Sequence, residues 1–159
     1  MPTKSTPSIA RTASASLKLD GFLCFAVYSA NLAFTKAYRP ILDALGLTYT
    51  QYVTMVALSE EDDQTVGGLG EKLFLESNTL TPILKKLEAM GLVERARDKA
   101  NERLVRVNLT KAGRRLRDKA QGGDLKQATG LTATQFVRLQ KEIVALRDHL
   151  LASTREEAA

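Results

Sequence analysis

The feature that most constrains this chain is a run of four elements between Val66 and Leu109. Val66 to Phe74 reads as a short helix. A tight connection at Leu75-Glu76 leads into a second helix that begins near Ser77 or Thr79 and runs to Met90. Gly91 is its stop, because glycine enters the left-handed backbone conformation that closes helices without steric cost. Leu80, Ile83, Leu84 and Leu87 follow the i, i+3, i+4, i+7 spacing of one buried face. The opposite face presents Asn78, Thr81, Pro82 and Lys85, with Thr79 and Lys86 at its margin. Pro82 fits most easily if Thr79 is the cap, since only first-turn N–H groups go unpaired in any case. Two strand-like runs follow, Leu92 to Arg97 and Arg103 to Leu109, around the polar turn Asp98-Lys99-Ala100-Asn101-Glu102. Val105, Val107 and Leu109 alternate with Leu104, Arg106 and Asn108, the period-2 pattern of a hairpin with one covered face.

Helix, short link, helix and basic hairpin is the order of a winged helix-turn-helix, which predicts a mainly α fold with a small β-hairpin wing. The exposed face of the second helix has suitable chemistry for double-stranded DNA. Small hydrogen-bonding side chains at a helix start reach base edges in the major groove, and lysines further along meet phosphates. At the hairpin tip, Arg97, Lys99 and Arg103 can reach the neighbouring minor groove. The net charge is +5, and its distribution says more than its size: from Glu94 to Lys119, ten Lys and Arg face only Glu94, Asp98, Glu102 and Asp118. A basic cluster confined to one segment suits a polyanion. Charge alone would fit an ordinary solvated face equally well, so the element order carries the reading.

The flanks are helical and apolar. Asp20 is placed to cap a helix through Phe22, Leu23, Cys24, Phe25, Val27 and Leu32, apolar on most sides and therefore expected in a core or an oligomer interface. Pro40 is expected to interrupt it, leaving a short piece from Ile41 to Leu45 that ends at Gly46. Thr48 or Thr50 caps the next helix, which runs to about Ser59, and Glu60 to Asp63 form a loop. Thr110 opens a helix ending at Gly122-Gly123. The last helix starts with the capping-box pattern Thr132-Ala133-Thr134-Gln135. Its apolar residues Phe136, Leu139, Ile143, Leu146 and Leu150 form a seam suited to helix-on-helix association. Packing within one chain is the alternative, but both ends offer more apolar helix than a reading lobe needs. The expectation is a homodimer: winged helix-turn-helix at 48–109, dimerisation helices at 19–47 and 110–155, and a flexible tail at 1–18.

Other function classes find little support. At 159 residues, 44% hydrophobic and 26% charged, the chain is one ordinary globular domain's worth of sequence. No apolar run approaches the roughly 20 residues of a membrane span, and residues 1–16 lack the apolar segment of a signal peptide. A cytoplasmic protein with no membrane association is expected. Cys24 is the one cysteine and His149 the one histidine, which excludes a disulfide framework and argues against a metal site. No cofactor is expected, and no Ser/His/Asp set suggests itself. The stretch from Val66 to Lys72 lacks the spacing of a phosphate loop. The reading is a DNA-binding regulator, not an enzyme.

At this point the chain resembles the MarR-type regulators, from about Leu19 to Leu151. Ser77-Asn78-Thr79-Leu80-Thr81-Pro82-Ile83-Leu84-Lys85-Lys86-Leu87-Glu88-Ala89-Met90-Gly91-Leu92-Val93-Glu94-Arg95 is similar to that family's recognition helix and first wing strand. Asn101-Glu102-Arg103 and Leu109-Thr110-Lys111-Ala112-Gly113 are similar to its wing and exit helix. The resemblance implies a DNA-contacting set of Ser77, Asn78, Thr79, Thr81, Pro82, Lys85, Lys86, Arg95, Arg97, Lys99 and Arg103, and a palindromic operator. The family usually carries Asp where this chain has Asn101, pairing it with the Arg two residues on. Asn101 cannot form that ion pair with Arg103.

Within the family, Leu23-Cys24-Phe25-Ala26 and Tyr38-Arg39-Pro40 resemble the organic-hydroperoxide-sensing repressors, the OhrR subfamily. This implies that Cys24 is a redox sensor, that organic hydroperoxides are the inducer, and that Tyr28, Tyr38 and Tyr49 surround the thiol with hydroxyl donors. Taken alone, a lone cysteine on an apolar helix reads as an inert core thiol; the resemblance reverses that reading. Its place near the positive end of a helix suits thiolate chemistry, and Tyr28, four residues on, shares its face. Tyr52 reads as a core residue. One branch of the subfamily carries a second, resolving cysteine near the last helix, where this chain reads Lys126-Gln127-Ala128-Thr129-Gly130. Oxidised Cys24 would then need a low-molecular-weight thiol or further oxidation to complete the response. Two other functions compete: a MarR-type repressor that senses a small ligand in the interface cleft with Cys24 inert, and a thiol peroxidase, which would leave the reading helix unexplained.

Overall fold

The computed structural model describes residues 18–120 and 125–157. Nearly all of the expected tail, and the helix end expected at Gly122-Gly123, lie outside the described residues. The chain divides into two compact units, the first ending at Thr35 and the second beginning at Lys36. Seven helices are described: α1 Leu23–Leu45, α2 Tyr49–Glu60, α3 Val66–Leu73, α4 Ser77–Ala89, α5 Lys111–Ala120, α6 Leu125–Ala128 and α7 Ala133–Glu157. With them come the strands β1 Gln64–Thr65, β2 Val93–Arg97 and β3 Val105–Leu109.

In the first unit, a 3-10 turn over Leu19–Gly21 precedes α1. This corrects the role of Asp20, which lies inside that turn and not at the cap of α1. Pro40 also fails to end its helix, which continues to Leu45. Proline removes one N–H donor, but beyond it Leu42 is buried and Leu45 packs against the core, as does Tyr38 before it. Burial of this face outweighs one lost backbone bond. Gly46 then closes α1 in the left-handed conformation at φ +67°, its N–H donating to Asp43 O and that of Leu47 to Leu42 O.

The second unit is built on one apolar core. Met55 and Leu58 of α2, Leu69 of α3, Leu80, Leu84 and Leu87 of α4, and Val107 and Leu109 of β3 are all buried in it. Thr48 caps α2 in a reciprocal capping box with Gln51. Val107 and Leu109 point inward from β3 as the alternation predicts, while β2 pairs antiparallel with β3, Val93 opposite Leu109 and Arg97 opposite Val105. The sheet has a third strand that the sequence did not announce. Gln64 and Thr65, which follow the expected loop, pair with Val107 and Arg106 of β3. Two residues carry no legible period. The buried Gln64 amide also donates to Ala57 O and Glu61 O, both at 2.8 Å, which satisfies carbonyls at the end of α2.

Two close approaches fix how α4 is carried. Gly70 lies against the turn between α3 and α4, where a Cβ would stand 2.8 Å from Leu75 O. Gly113 of α5 crosses the start of β2, where a Cβ would meet Leu92 O at 2.1 Å. Helices α3 and α4 end alike. Leu75 N–H donates to Gly70 O after α3, and Leu92 N–H to Leu87 O after α4. Gly91 takes the left-handed position after α4, but after α3 that position belongs to Phe74, at φ +56°. A residue with a Cβ pays roughly 1–2 kcal/mol for this conformation.

Candidate nucleic-acid interface

Helix α4 begins at Ser77 with Glu76 before it, one turn earlier than a Thr79 cap would place it, and the N–H groups of Thr79 and Leu80 both donate to Glu76 O. Pro82 therefore lies in the second turn, and the bond it omits is the one to the carbonyl of Asn78. On the outward face Ser77, Asn78, Thr79, Pro82, Lys85 and Lys86 are exposed and Thr81 is half-buried. The Thr81 hydroxyl donates to Ser77 O at 2.7 Å, so it faces outward as an acceptor. Asn78 Oδ1 accepts from the Thr79 hydroxyl at 3.3 Å, which leaves the Asn78 amide hydrogens available to an acceptor. Neither Lys85 nor Lys86 has an ion pair among the described residues.

The wing stands beside this helix. A groove of about 310 Å³ separates the two, lined by Ser77 and Thr81 on one side and by Arg95, Arg103 and Leu104 on the other. Arg97, Lys99 and Arg103 are exposed. Arg95 is placed differently: its Nε and Nη2 both donate to Glu88 Oε2, at 3.0 and 2.5 Å, so it ties the wing to the end of α4. That pairing holds the Glu88 carboxyl below the usual carboxylate range.

The wing is braced by residues outside the predicted set. Asp98 Oδ1 accepts from the N–H groups of Ala100 and Asn101 at 2.8 and 2.9 Å, and its Oδ2 accepts from Arg106 Nε at 2.5 Å. The Arg106 bond, followed by the two backbone donors, holds the Asp98 carboxyl below its ordinary range. Arg106 reaches onward to Asp63 O at 2.8 Å. Asp98 thus supports the wing through Arg106 and the turn backbone, and not through Arg103. Asn101 Oδ1 accepts instead from the backbone N–H of Arg103 at 3.1 Å. An aspartate opening a polar turn is an Asx-turn signal and could have been read from the sequence; its reach to Arg106 across the hairpin could not.

The four residues of the expected sensor divide between the units. Cys24 is exposed in the first turn of α1, with Tyr28 one turn further on and exposed. The Tyr28 ring centroid lies 6.4 Å from that of Phe25. In the second unit Tyr38 and Tyr49 come together, ring centroids 5.3 Å apart, and Tyr52 joins them at 6.1 Å from Tyr38. Tyr52, read as core, does pack against the core, and it is also the third ring of this cluster. Burial, then the proximity of Tyr49 and Tyr52, pushes the Tyr38 hydroxyl pKa upward and keeps it a neutral donor.

A reading helix with an uncommitted polar face, set beside a braced basic wing, defines a DNA-binding transcriptional regulator of winged-helix type. The family described as transcriptional regulator SarA/Rot matches residues 36–120, and the chain belongs to it. It is 44% identical over 139 residues to the organic hydroperoxide resistance transcriptional regulator of Bacillus subtilis, covering 79% of this chain and 95% of that protein. It is 45% identical over 140 residues to the HTH-type transcriptional regulator TtmR of Methylorubrum extorquens, covering 84% of this chain and 70% of that one. Among solved structures, reduced AbfR bound to DNA matches with a TM-score of 0.68 at 32% identity, over 81% of this chain and 91% of its own. Overoxidised AbfR bound to DNA matches at 0.67 with the same identity and coverage. MarR of E. coli shares the fold, with a TM-score of 0.66 at 24% identity over 79% of this chain and 96% of its own. These relatives are transcriptional regulators and not enzymes. No described helix is long and apolar enough to cross a membrane.

Proposed function

We propose that this regulator is a redox-responsive repressor, which holds a palindromic operator as a homodimer while Cys24 is reduced and releases it when an organic hydroperoxide oxidises that thiol. The observation that carries the reading is the exposed Cys24 in the first turn of α1, in a chain 44% identical to a regulator named for organic hydroperoxide resistance. That AbfR has been solved on DNA both reduced and overoxidised adds support. In the reaction the Cys24 sulfur attacks the distal peroxide oxygen. The O–O bond breaks, an S–O bond forms, and the alcohol leaves with the proton, so the sulfur is oxidised to a sulfenic acid and the peroxide reduced. A low-molecular-weight thiol can then condense with the sulfenic acid, giving a mixed disulfide and water. In this reading Tyr28, Tyr38 and Tyr49 supply the hydroxyls that respond to the altered sulfur.

Dimer assembly is supported by apolar faces with no cover in the single chain: Leu23, Phe25 and Leu32 on α1, and Leu139, Ile143 and Leu150 on α7 are all exposed. On the DNA side, Asn78 and Thr81 read base edges, Lys85 and Lys86 meet phosphates, and the wing enters the minor groove through Arg97, Lys99 and Arg103. The deciding experiment is Cys24→Ser, which keeps size and a hydrogen-bonding group but removes thiolate chemistry. The variant should bind DNA as the wild type does and stay bound in organic hydroperoxide. Wild-type affinity should fall about 5- to 150-fold, the range of a coupling of roughly 1–3 kcal/mol. If the variant dissociates under peroxide as readily as the wild type, Cys24 is not the sensor and a small-ligand regulator is the better account.

A further inference from the structure

The turn that launches α4 contains a residue whose identity its own helix end does not explain. Phe74 sits at φ +56° and is 55% exposed. Gly46 and Gly91 close α1 and α4 with the same pair of backbone hydrogen bonds, and a glycine at position 74 would close α3 without a Cβ in a left-handed conformation. Neither burial nor helix closure therefore calls for a phenylalanine. What a phenylalanine has and a glycine lacks is a ring face, and the guanidinium of Arg147 lies over that face, 4.4 Å from its centroid. Arg147 belongs to α7, 73 residues further along the chain. Its Nε and Nη2 donate to Asp148 Oδ1 at 2.9 and 2.8 Å, which restrains the guanidinium beside the ring.

We propose that Phe74 and Arg147 are positioning residues for DNA binding: their stack ties α7 to the α3–α4 turn and sets the attitude of the recognition helix. Phe74 stands two residues before Glu76, whose carbonyl receives the N–H groups of Thr79 and Leu80 in α4. A ring held at this point holds the first turn of α4, where Ser77 and Asn78 lie. The electrostatic attraction of a cation to an aromatic face gives the contact its strength and its direction.

The test is a double-mutant cycle in the full chain, read on a DNA duplex that the wild type selects from a random-sequence pool. Phe74→Gly and Arg147→Ala should each weaken binding about 2- to 5-fold, the span open to one cation–aromatic contact at an exposed site. The double variant should bind no more weakly than either single one. Phe74→Gly should melt at or above the wild-type temperature, because it relieves backbone strain, and this separates positioning from folding. Phe74→Tyr keeps the ring face and should restore binding. Unchanged affinity in both single variants overturns the proposal. So does an Arg147→Ala loss that persists in full in the Phe74→Gly background, since that would mark Arg147 as a direct phosphate contact.

Discussion

At the wing tip one carboxylate serves two kinds of partner. Asp98 shapes the turn through the N–H groups of Ala100 and Asn101 and holds the hairpin through Arg106. Because these contacts favour its charged form, the folded carboxyl titrates below an unfolded aspartate, near 4. Their contribution is therefore complete above that pH and is lost as pH falls through the lower folded value. The expected outcome is a wing that loosens only in acid well below neutrality. At neutral pH, Asp98→Asn keeps an acceptor for the turn but gives up the charge on Arg106, while Asp98→Ala gives up both. Operator binding measured by anisotropy should weaken severalfold in the order wild type, Asn, Ala; an Ala variant that binds as the wild type does would show that the brace is not used. The exposed basic side chains at this tip were readable from composition and order. The brace depends on register across the hairpin, which brings Ala96 opposite Arg106 and so Asp98 within reach of it.

At the scale of the element, α4 was the most legible part of the chain. The buried leucine row and the outward polar face follow from one 3.6-residue period, and Leu80, Leu84 and Leu87 are fully buried. Its start was less legible, because Glu76 offers no side-chain cap and a threonine two residues into the helix looks the better candidate. A tight turn with a left-handed phenylalanine leaves no composition signal either, since glycine is the usual occupant. Lys85→Ala should lower affinity for all duplexes alike and reduce the slope of affinity against salt by about one counterion. Asn78→Ala or Thr81→Ala should instead alter which sequence is preferred. Selection of the same consensus by these variants, with an unchanged salt slope for Lys85→Ala, would remove α4 from the DNA.

For the whole molecule, the end helices carry the prediction. Ile143→Asp with Leu146→Asp puts two charges into the α7 seam, where burial against a partner would desolvate them at a cost of several kcal/mol. Sedimentation should show a monomer, and affinity for a two-half-site duplex should fall toward that for a half-site. A variant that stays dimeric would place the interface elsewhere. The 3-4 spacing of the seam was readable in the sequence, whereas the path of α1 through Pro40 was not, because tertiary packing of Leu42 overrides the local rule. The acidic link after α2 has a different consequence. Asp62 pairs with Arg114, and Asp63 accepts from Arg106 while its N–H donates to Asn108 Oδ1. These contacts close a loop whose interior holds α3, α4 and both wing strands. The segment that reads DNA is therefore not separable: a fragment cut anywhere between α2 and α5 loses one side of this clasp. A block carried onto another sensor therefore has to keep α2 through α5 together, along with the end of α1, whose Leu42 is buried in the same core.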